Sequence, residues 1–411
     1  MVSEKLLDQY ARLAVVIGAN VQKGQPIKIK GPVEAYDFIE RCAKQAYSVG
    51  ASQVEIEFQD NVLDRLAYEH ETTETLKRVP SWKVDRIKDG IEQHICMLNI
   101  ISPNPDLLEG IDASKIKEVQ MAMMQATAPY SYYTMNNITQ WTIVAYPNLV
   151  WAKKVFPELS DQEAYDSLWN AILKTSRVSE NTTVDEAWNL HNEEIREHSN
   201  KLNEYNFKSL HFKNALGTDL VVGLIKNHKW EGGADLSSKG VSFNANIPTE
   251  EVFTMPDRYH IDGTVVSTKP LNYGGKLIDQ FKLTFENGRV VAYKAKNNQD
   301  VLTNLLDTDE GSRSLGEVAL ISYDSPISNL NILFYNTLFD ENASCHLALG
   351  QCYPTNVKGG ADLDEEELYK LGGNKSMNHV DFMFGSEDMD VIGTTYEGDE
   401  IQIFKHGNFC I

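Results

Sequence analysis

The sequence is short of the residues that several classes of site require. It contains five cysteines, an odd number with no C-x-x-C pair, so neither a disulfide framework nor a zinc knuckle is indicated. It has no run of about 18 apolar residues, and no turn carries G-x-G-x-x-G or a Walker lysine, so neither a membrane helix nor a nucleotide cofactor is expected. Because no secretory signal is visible, we expect a cytoplasmic protein.

Positive charge is also scarce. The chain has 38 lysines and arginines against 59 aspartates and glutamates, which gives a formal net charge of −21. Nucleic acids and anionic membranes bind basic surfaces, so we expect neither as a partner. The acidic excess could attract cationic peptides or offset bound dications, but a solvated acidic surface is the simpler explanation.

The chain is long enough for two domains, with 411 residues of which 42% are hydrophobic. Its first half alternates helical and strand patterns, which predicts an α/β domain over 1–180 with an open, mainly parallel sheet. The predicted helices cover 4–19, 33–48, 114–127, 148–155 and 161–173, and the predicted strands cover 27–30, 53–58, 94–101 and 141–146.

From Phe207 the pattern changes to strand, turn and strand. Asn287-Gly288 separates two alternating runs, which is the preferred sequence of a two-residue hairpin. We therefore predict an α+β domain over 181–411 with mostly antiparallel strands, and the metal-binding residue types described below make it the predicted catalytic domain. His191 and His198 lie seven residues apart on an acidic helix near the start of this domain, and we predict that they are surface histidines.

Four stretches of the second half carry residue types that bind metals. The H-x-D motif at 379–381 places an imidazole and a carboxylate on one face of a strand. The stretch 340–353 adds acids, an imidazole and a phenol, and the loop 246–256 adds two acids. Glu317 is set among apolar residues, where a cation would compensate the cost of its burial. Histidine with several carboxylates suits a divalent ion that keeps a water better than it suits structural zinc.

These stretches together contain the ingredients of a two-metal hydrolase. Two ions can share a carboxylate and a water, a nearby acid can relay a proton, and a tyrosine hydroxyl can stabilise an oxyanion. Each stretch taken alone also has a structural explanation, because an acid in a loop often caps a helix.

The order and separation of NIPTEEVFTMP, SLGEVAL, FDENASCHLALGQCY and NHVDFMFG resemble the thermophilic-type metal-dependent aminopeptidases, the family that includes aminopeptidases T and S. The resemblance runs through the whole chain. It implies two divalent ions per chain, either zinc, cobalt, magnesium or manganese. The residues that it assigns as metal ligands are Glu251, Glu317, Glu341, His346, Tyr353, His379 and Asp381. It further implies catalytic roles for Glu317 in activating water and for Tyr353 in polarising the carbonyl.

The resemblance also implies a homodimer that releases single amino acids from peptides with a free N-terminus. Two alternatives remain open at this point. The same centre could serve a dipeptidase or an amidase, or the metals could only stabilise a non-catalytic peptide-binding protein. The presence of both Glu317 and Tyr353 favours an enzyme, because a purely structural site needs no acid at an open position.

Overall fold

A computed structural model describes residues 2–273 and 276–411 of the chain. These residues form two compact units. The first contains the chain up to Leu190 together with Ala234–Pro248, and the second contains His191–Gly233 and Thr249–Ile411. Across 2–273 and 276–411, no helix combines the length and apolar character that crossing a membrane requires. The functional division into domains over 1–180 and 181–411 stays a prediction.

The chain forms twelve α-helices and twenty strands within the described residues. The helices are α1 Glu4–Arg12, α2 Tyr36–Ser48, α3 Asn61–His70, α4 Thr73–Lys77, α5 Ser81–Glu92, α6 Ala113–Met135, α7 Leu149–Val155, α8 Asp161–Thr175, α9 Val184–Tyr205, α10 Gln299–Leu306, α11 Thr337–Asp340 and α12 Glu365–Leu371. The strands are β1 Pro26–Pro32, β2 Gln53–Gln59, β3 Cys96–Ile101, β4 Trp141–Ala145, β5 Ser209–Lys213, β6 Asp219–Leu224, β7 Asp235–Leu236, β8 Ser242–Phe243, β9 Val252–Thr254, β10 Pro256–Val266, β11 Leu271–Tyr273, β12 Lys276–Ile278, β13 Lys282–Glu286, β14 Arg289–Lys294, β15 Leu315–Leu320, β16 His346–Gly350, β17 His379–Met383, β18 Asp390–Thr394, β19 Glu400–Lys405 and β20 Asn408–Phe409.

The first unit is built on a parallel sheet with the strand order β2-β1-β3-β4. Helices connect its successive strands, as parallel pairing requires. Side chains alternate along β1, so that Ile27 and Ile29 are fully buried on one face, whereas Lys28 and Lys30 on the other face are partly exposed. The predicted open, mainly parallel sheet is confirmed.

The predicted helix over 4–19 is regular only in its first part. The Ser3 hydroxyl caps α1 by accepting from the Leu6 N–H, and the chain becomes π-helical over Leu13–Gly18. This segment packs against β4, and a Cβ on Gly18 would lie 2.7 Å from Oγ1 of Thr142. The close approach explains why a glycine stands at the end of this turn.

The second unit contains an antiparallel sheet of eight strands in the order β14-β13-β10-β6-β5-β18-β19-β20. The predicted hairpin joins β13 to β14, with Glu286 paired to Arg289 across a two-residue turn. Asn287 and Gly288 both have positive φ, at 49° and 82°. Asn-Gly is favoured in such turns because asparagine and glycine adopt positive φ most readily.

A smaller antiparallel sheet of the second unit has the order β17-β16-β15-β9. One face of β15, β16 and β17 is fully buried in the main hydrophobic core of this unit. Its side chains are those of Val318, Leu320, Leu347, Leu349 and Phe382. Because side chains alternate along a strand, the residues between them project from the opposite face. The predicted antiparallel character of this half is confirmed.

Candidate metal centre

The face of the smaller sheet opposite its apolar face carries four of the predicted metal ligands. Glu317 on β15, Ala348 on β16 and Asp381 on β17 lie directly beside one another across three strands. His346 and His379 lie two residues along from Ala348 and Asp381, respectively, and therefore share this face. Strand alternation thus delivers two carboxylates and two imidazoles to one side of the sheet.

Small residues leave room above the sheet at this point. Ala319 is paired with His346, and Ala348 and Gly350 are the other β16 residues on this face. Gly350 has a φ of 114°, and a Cβ there would lie 2.1 Å from the backbone oxygen of Asn378. Larger side chains at these positions would occupy the space between the ligands.

Glu317 lies between two groups of potential ligand atoms. Nε2 of His346 is 3.2 Å from Oε2 of Glu251, which directly precedes β9, and 3.2 Å from Oε1 of Glu317. Nε2 of His379 is 3.6 Å from Oε2 of Glu317 and 3.4 Å from Oδ1 of Asp381. One group consists of Glu251, Glu317 and His346, and the other of Glu317, His379 and Asp381. Within each group, the potential ligand atoms lie within 4.8 Å of one another. The two groups share Glu317, and each of its oxygens faces a different imidazole.

Backbone carbonyls fix the orientation of both imidazole rings. Nδ1 of His346 lies 2.8 Å from the carbonyl oxygen of Glu341, and Nδ1 of His379 lies 2.7 Å from that of Gln351. A carbonyl oxygen only accepts, so each Nδ1 must carry the proton. In the neutral rings, Nε2 therefore presents its lone pair to the carboxylates, which is the arrangement of a metal-binding histidine.

Negative charge is concentrated in this buried region. Burial raises the pKa of the Glu317 carboxyl, and the charges of Glu251 and Asp381 raise it further. Burial likewise raises the pKa of Glu341 well above its usual value, with additional effects of Asp381 and Glu251. Burial lowers the pKa of His379, but Asp381 and Glu317 outweigh this effect and raise the pKa to about 10. Burial is thus the main cause of the raised carboxyl pKa values and repulsion between carboxylates adds to it, whereas the raised pKa of His379 comes from the carboxylates beside it.

Comparison with known proteins assigns the chain to a family. The family model described as Thermophilic metalloprotease (M29) matches residues 3–409. The chain belongs to the M29 family. It is 45% identical to Aminopeptidase AmpS of Bacillus subtilis (strain 168) over 404 residues, covering 98% of both chains. It is 44% identical to Aminopeptidase 2 of Geobacillus stearothermophilus over 407 residues, covering 99% of this chain and 98% of the relative.

Solved structures agree with the M29 assignment. Wild-type AmpT from Thermus thermophilus has a TM-score of 0.93 and 38% identity, covering 99% of this chain and 100% of that chain. The structure of 2,5-dihydroxypyridine dioxygenase from Pseudomonas putida KT2440 has a TM-score of 0.53 but only 10% identity, so it shares the fold alone. Because one fold can host different chemistries, the M29 match rather than the architecture decides the enzyme class. The predicted family and the predicted metallo-aminopeptidase class are confirmed.

The donor set of this M29 chain fits divalent metal ions. Oδ1 of Asp381 is buried and accepts no hydrogen bond from the part of the chain that the structure describes. His379 is the cationic group beside it at 3.4 Å, and a buried carboxylate oxygen that accepts no hydrogen bond is costly, a cost that a coordinated cation removes. Mixed nitrogen and oxygen donors of this kind are compatible with zinc, cobalt, manganese and magnesium.

Glu341 and Tyr353 lie beside the two groups. Glu341 is half-buried and belongs to neither group, but its carboxylate interacts electrostatically with Asp381 and with Glu251. The Tyr353 ring lies 4.7 Å from the His379 ring, measured between centroids. Burial and the neighbouring carboxylates raise the pKa of Tyr353 well above its usual value, so its hydroxyl stays protonated and can donate a hydrogen bond. The structure therefore brings all seven predicted residues into one region.

A buried asparagine that no sequence pattern singled out holds the loop before Glu251. Oδ1 of Asn342 accepts a hydrogen bond from the Glu250 N–H at 2.8 Å. Its Nδ2 donates to the Leu338 carbonyl at 3.2 Å and lies 3.4 Å from Oε1 of Glu341. Asn342 thus connects two ligand-bearing segments, and its place between Glu341 and His346 in the sequence was the one available signal.

The prediction that His191 is a surface histidine is wrong. His191 is buried, and its Nε2 lies 2.8 Å from the carbonyl oxygen of Thr249. This contact supports the same loop from the side of α9. His198 is half-buried and stacks on Phe409 at a centroid distance of 4.0 Å. Neither contact could be predicted, because both partners are remote in sequence from the helix.

Proposed function

We propose that the chain hydrolyses the N-terminal peptide bond of peptides and releases single amino acids, with a dinuclear centre of divalent metal ions. The observation that carries this proposal is the position of Glu317, whose two oxygens face two separate ligand groups. A carboxylate shared between neighbouring ions is a recurring feature of two-metal hydrolases. The names of the relatives, which are aminopeptidases, support the choice of substrate.

The ligands divide between two ions. Glu251 and His346 would hold one ion, His379 and Asp381 would hold the other, and Glu317 would contact both. Glu341 and Tyr353 would complete the two coordination shells. The carboxylates of Glu251, Glu317, Glu341 and Asp381 carry a combined charge of −4 when ionised, which two divalent cations would neutralise. Each of zinc, cobalt, magnesium and manganese is compatible with such donors.

The chain's own residues would perform the proton transfers and stabilise charge. When bound, the ions would supply Lewis acidity that polarises the scissile carbonyl and lowers the pKa of a water. The Glu317 carboxylate would accept the proton of the attacking water and return it to the leaving amine. The protonated hydroxyl of Tyr353 would donate a hydrogen bond to the carbonyl oxygen as negative charge develops there. The acidic surroundings would attract the ammonium group of the substrate.

Hydrolysis of chromogenic amides tests the proposal against its alternatives. We expect cleavage of leucine p-nitroanilide, loss of activity with chelator, and no cleavage of the N-acetylated substrate. Equal cleavage of both substrates would instead indicate an amidase. Metal binding without any turnover, across a panel of amino-acyl amides and dipeptides, would indicate a peptide-binding protein that metals stabilise.

Substitution of Glu317 tests the assignment of the base. Glu317→Gln should abolish turnover because the amide cannot accept the proton of water. Two ions retained without turnover would support the role of base, whereas loss of metal would show only that Glu317 is a ligand. Glu366→Gln is a matched control, since the Glu366 side chain is 83% exposed. Metal analysis of the active protein should find two ions per chain, and full activity with one ion would rule out the dinuclear centre.

A homodimer and a cytoplasmic location complete the proposal, and the homodimer rests on the resemblance described above. Sedimentation equilibrium would test the dimer, with a single-chain mass as the contrary result. Fractionation of cells that express the protein would test the location, and recovery from the membrane fraction would contradict it.

A further inference from the structure

A large cavity lies in the first unit and involves none of the metal ligands. It has a volume of about 680 Å³, within the range of about 300–1,000 Å³ that is typical of small-molecule sites. Its floor is one face of the parallel sheet, formed by side chains of β1, β2 and β3. Residues of α5 and α6 form the opposite wall.

The floor of this cavity is polar, which is unusual for a parallel sheet. Strand pairing places Lys28 beside Glu55, Lys30 beside Glu57, and Asn99 on the other side of Lys30. Both faces of a parallel sheet are normally covered by apolar helix surfaces. If a helix packed directly on these charged side chains, it would bury them at a high cost in free energy. An open cavity leaves them accessible to water and to a ligand.

Cations outnumber carboxylates in the lining, although the chain as a whole is acidic. Four basic side chains line the cavity together with only two acidic ones: Lys28, Lys30, Lys83 and Arg86 against Glu57 and Asp64. The Glu57 carboxylate is shared by three of these cations, at 2.6 Å from Lys28, 3.9 Å from Lys30 and 3.5 Å from Arg86. Glu55 also takes part, at 2.6 Å from Arg86 and 3.8 Å from Lys28, so Glu55 and Glu57 together offset two of these three cations. Lys30 is only loosely paired with Glu57, and Lys83 forms no ion pair with the described residues, so these two lysines give the cavity a positive potential that favours an anion.

The remaining walls are apolar and accessible to solvent. Trp82 is 59% exposed and Met123 is 40% exposed. Tyr130 is half-buried, and its hydroxyl interacts with the side chain of Asn99. Large exposed apolar side chains beside a polar floor are typical of a site that encloses an apolar group and orients it through a few polar contacts.

We propose that this cavity binds a small organic anion that has an aromatic or aliphatic body. Lys30 and Lys83 hold the anionic group, because lysine forms charge-assisted hydrogen bonds with carboxylates and phosphates. The apolar body lies against Trp82 and Met123. The anion is a carboxylate or a phosphate monoester, since the same cations recognise both.

Calorimetric titration of the full-length, metal-loaded protein tests this proposal. The probes are N-acetylphenylalaninate, its uncharged amide, and phenyl phosphate. We expect saturable binding of at least one of the two anions. If N-acetylphenylalaninate binds, its uncharged amide should bind at least about tenfold more weakly. The anion that binds more tightly identifies the preferred group. Equal binding of the carboxylate and its amide, or no binding of either anion at millimolar concentration, would overturn the proposal.

Variants test whether the anion binds in this cavity. Lys83→Met should weaken binding of the anion by about tenfold, which is the loss expected for one charge-assisted contact. Because Lys83 is exposed on α5, the variant should fold normally. Lys44→Met is the matched control, since Lys44 is an exposed lysine of the same unit outside the cavity, and it should bind as wild type. Loss of binding in Glu317→Gln with retention in Lys83→Met would place the anion at the metal centre and refute the cavity site.

Discussion

Replacing Asn342 by alanine should loosen the loop that carries Glu251 without removing a metal ligand. The Asn342 side chain is fully buried, and it accepts from the Glu250 N–H at 2.8 Å and donates to the Leu338 carbonyl at 3.2 Å. Loss of two such hydrogen bonds costs about 2 kcal/mol of stability, at about 1 kcal/mol each. Residues that position metal ligands typically contribute about 10–100-fold to metal affinity, so we expect Asn342→Ala to bind metal more weakly by such a factor.

The measurement is metal affinity by competition with a chromophoric chelator, combined with turnover at saturating metal. We expect weaker metal binding in Asn342→Ala but nearly normal turnover once the sites are filled, because every ligand is still present. Asn329→Ala is the matched control, since Asn329 is exposed and its side chain bonds to Asp324. Unchanged metal affinity in a destabilised Asn342→Ala protein would refute a role for this residue in positioning Glu251.

Three further predictions concern stability, sheet register and cysteine reactivity. Burial lowers the pKa of His228 to about 4, so its neutral ring stabilises the fold above the unfolded pKa of about 6.5, and this contribution is lost as the pH falls towards 4. At about pH 5 the free energy of unfolding should fall by about 2 kcal/mol because of His228. In denaturant unfolding, His228→Gln should lack this part of the fall, and an equal fall in the variant would show that His228 is not its cause. Gly316→Ala should shift β15 against β16 and reduce metal content, because the new Cβ would lie 2.2 Å from a backbone oxygen; a variant with a full complement of metal would disprove this. Iodoacetamide at about pH 8 should label Cys410 alone in the folded protein, because the other four cysteines are buried, and mass spectrometry that found a second labelled cysteine would count against the described core.

Local patterns predicted much of the fold and part of the site. The Asn287-Gly288 hairpin was predictable because positive φ at two successive residues strongly favours these residue types. The common face of His379 and Asp381 followed from strand alternation alone. The full set of seven predicted ligands, in contrast, came from the resemblance of four separated motifs to a known family, since no single motif specifies a metal site.

Features that depend on packing between remote segments were not predictable. The register shift between Leu315 and Glu317 results from the backbone approaching Gly316, which no periodicity reveals. The π-helical turn at Leu13–Gly18 likewise depends on its contact with β4. No composition change marks Ala234–Pro248, which groups with the first unit although its neighbours in sequence belong to the second.

Main-chain oxygens, rather than side chains, determine which ring nitrogen of His346 and of His379 faces the carboxylates. The carbonyl groups of Glu341 and Gln351 accept from His346 and His379, and a carbonyl remains in place whatever side chain its residue carries. The path of the backbone therefore determines which nitrogen of each imidazole carries the proton. Gln351 could be replaced by many other residues without changing the orientation of either ring. A small displacement of the backbone at Gln351 would change the orientation of His379.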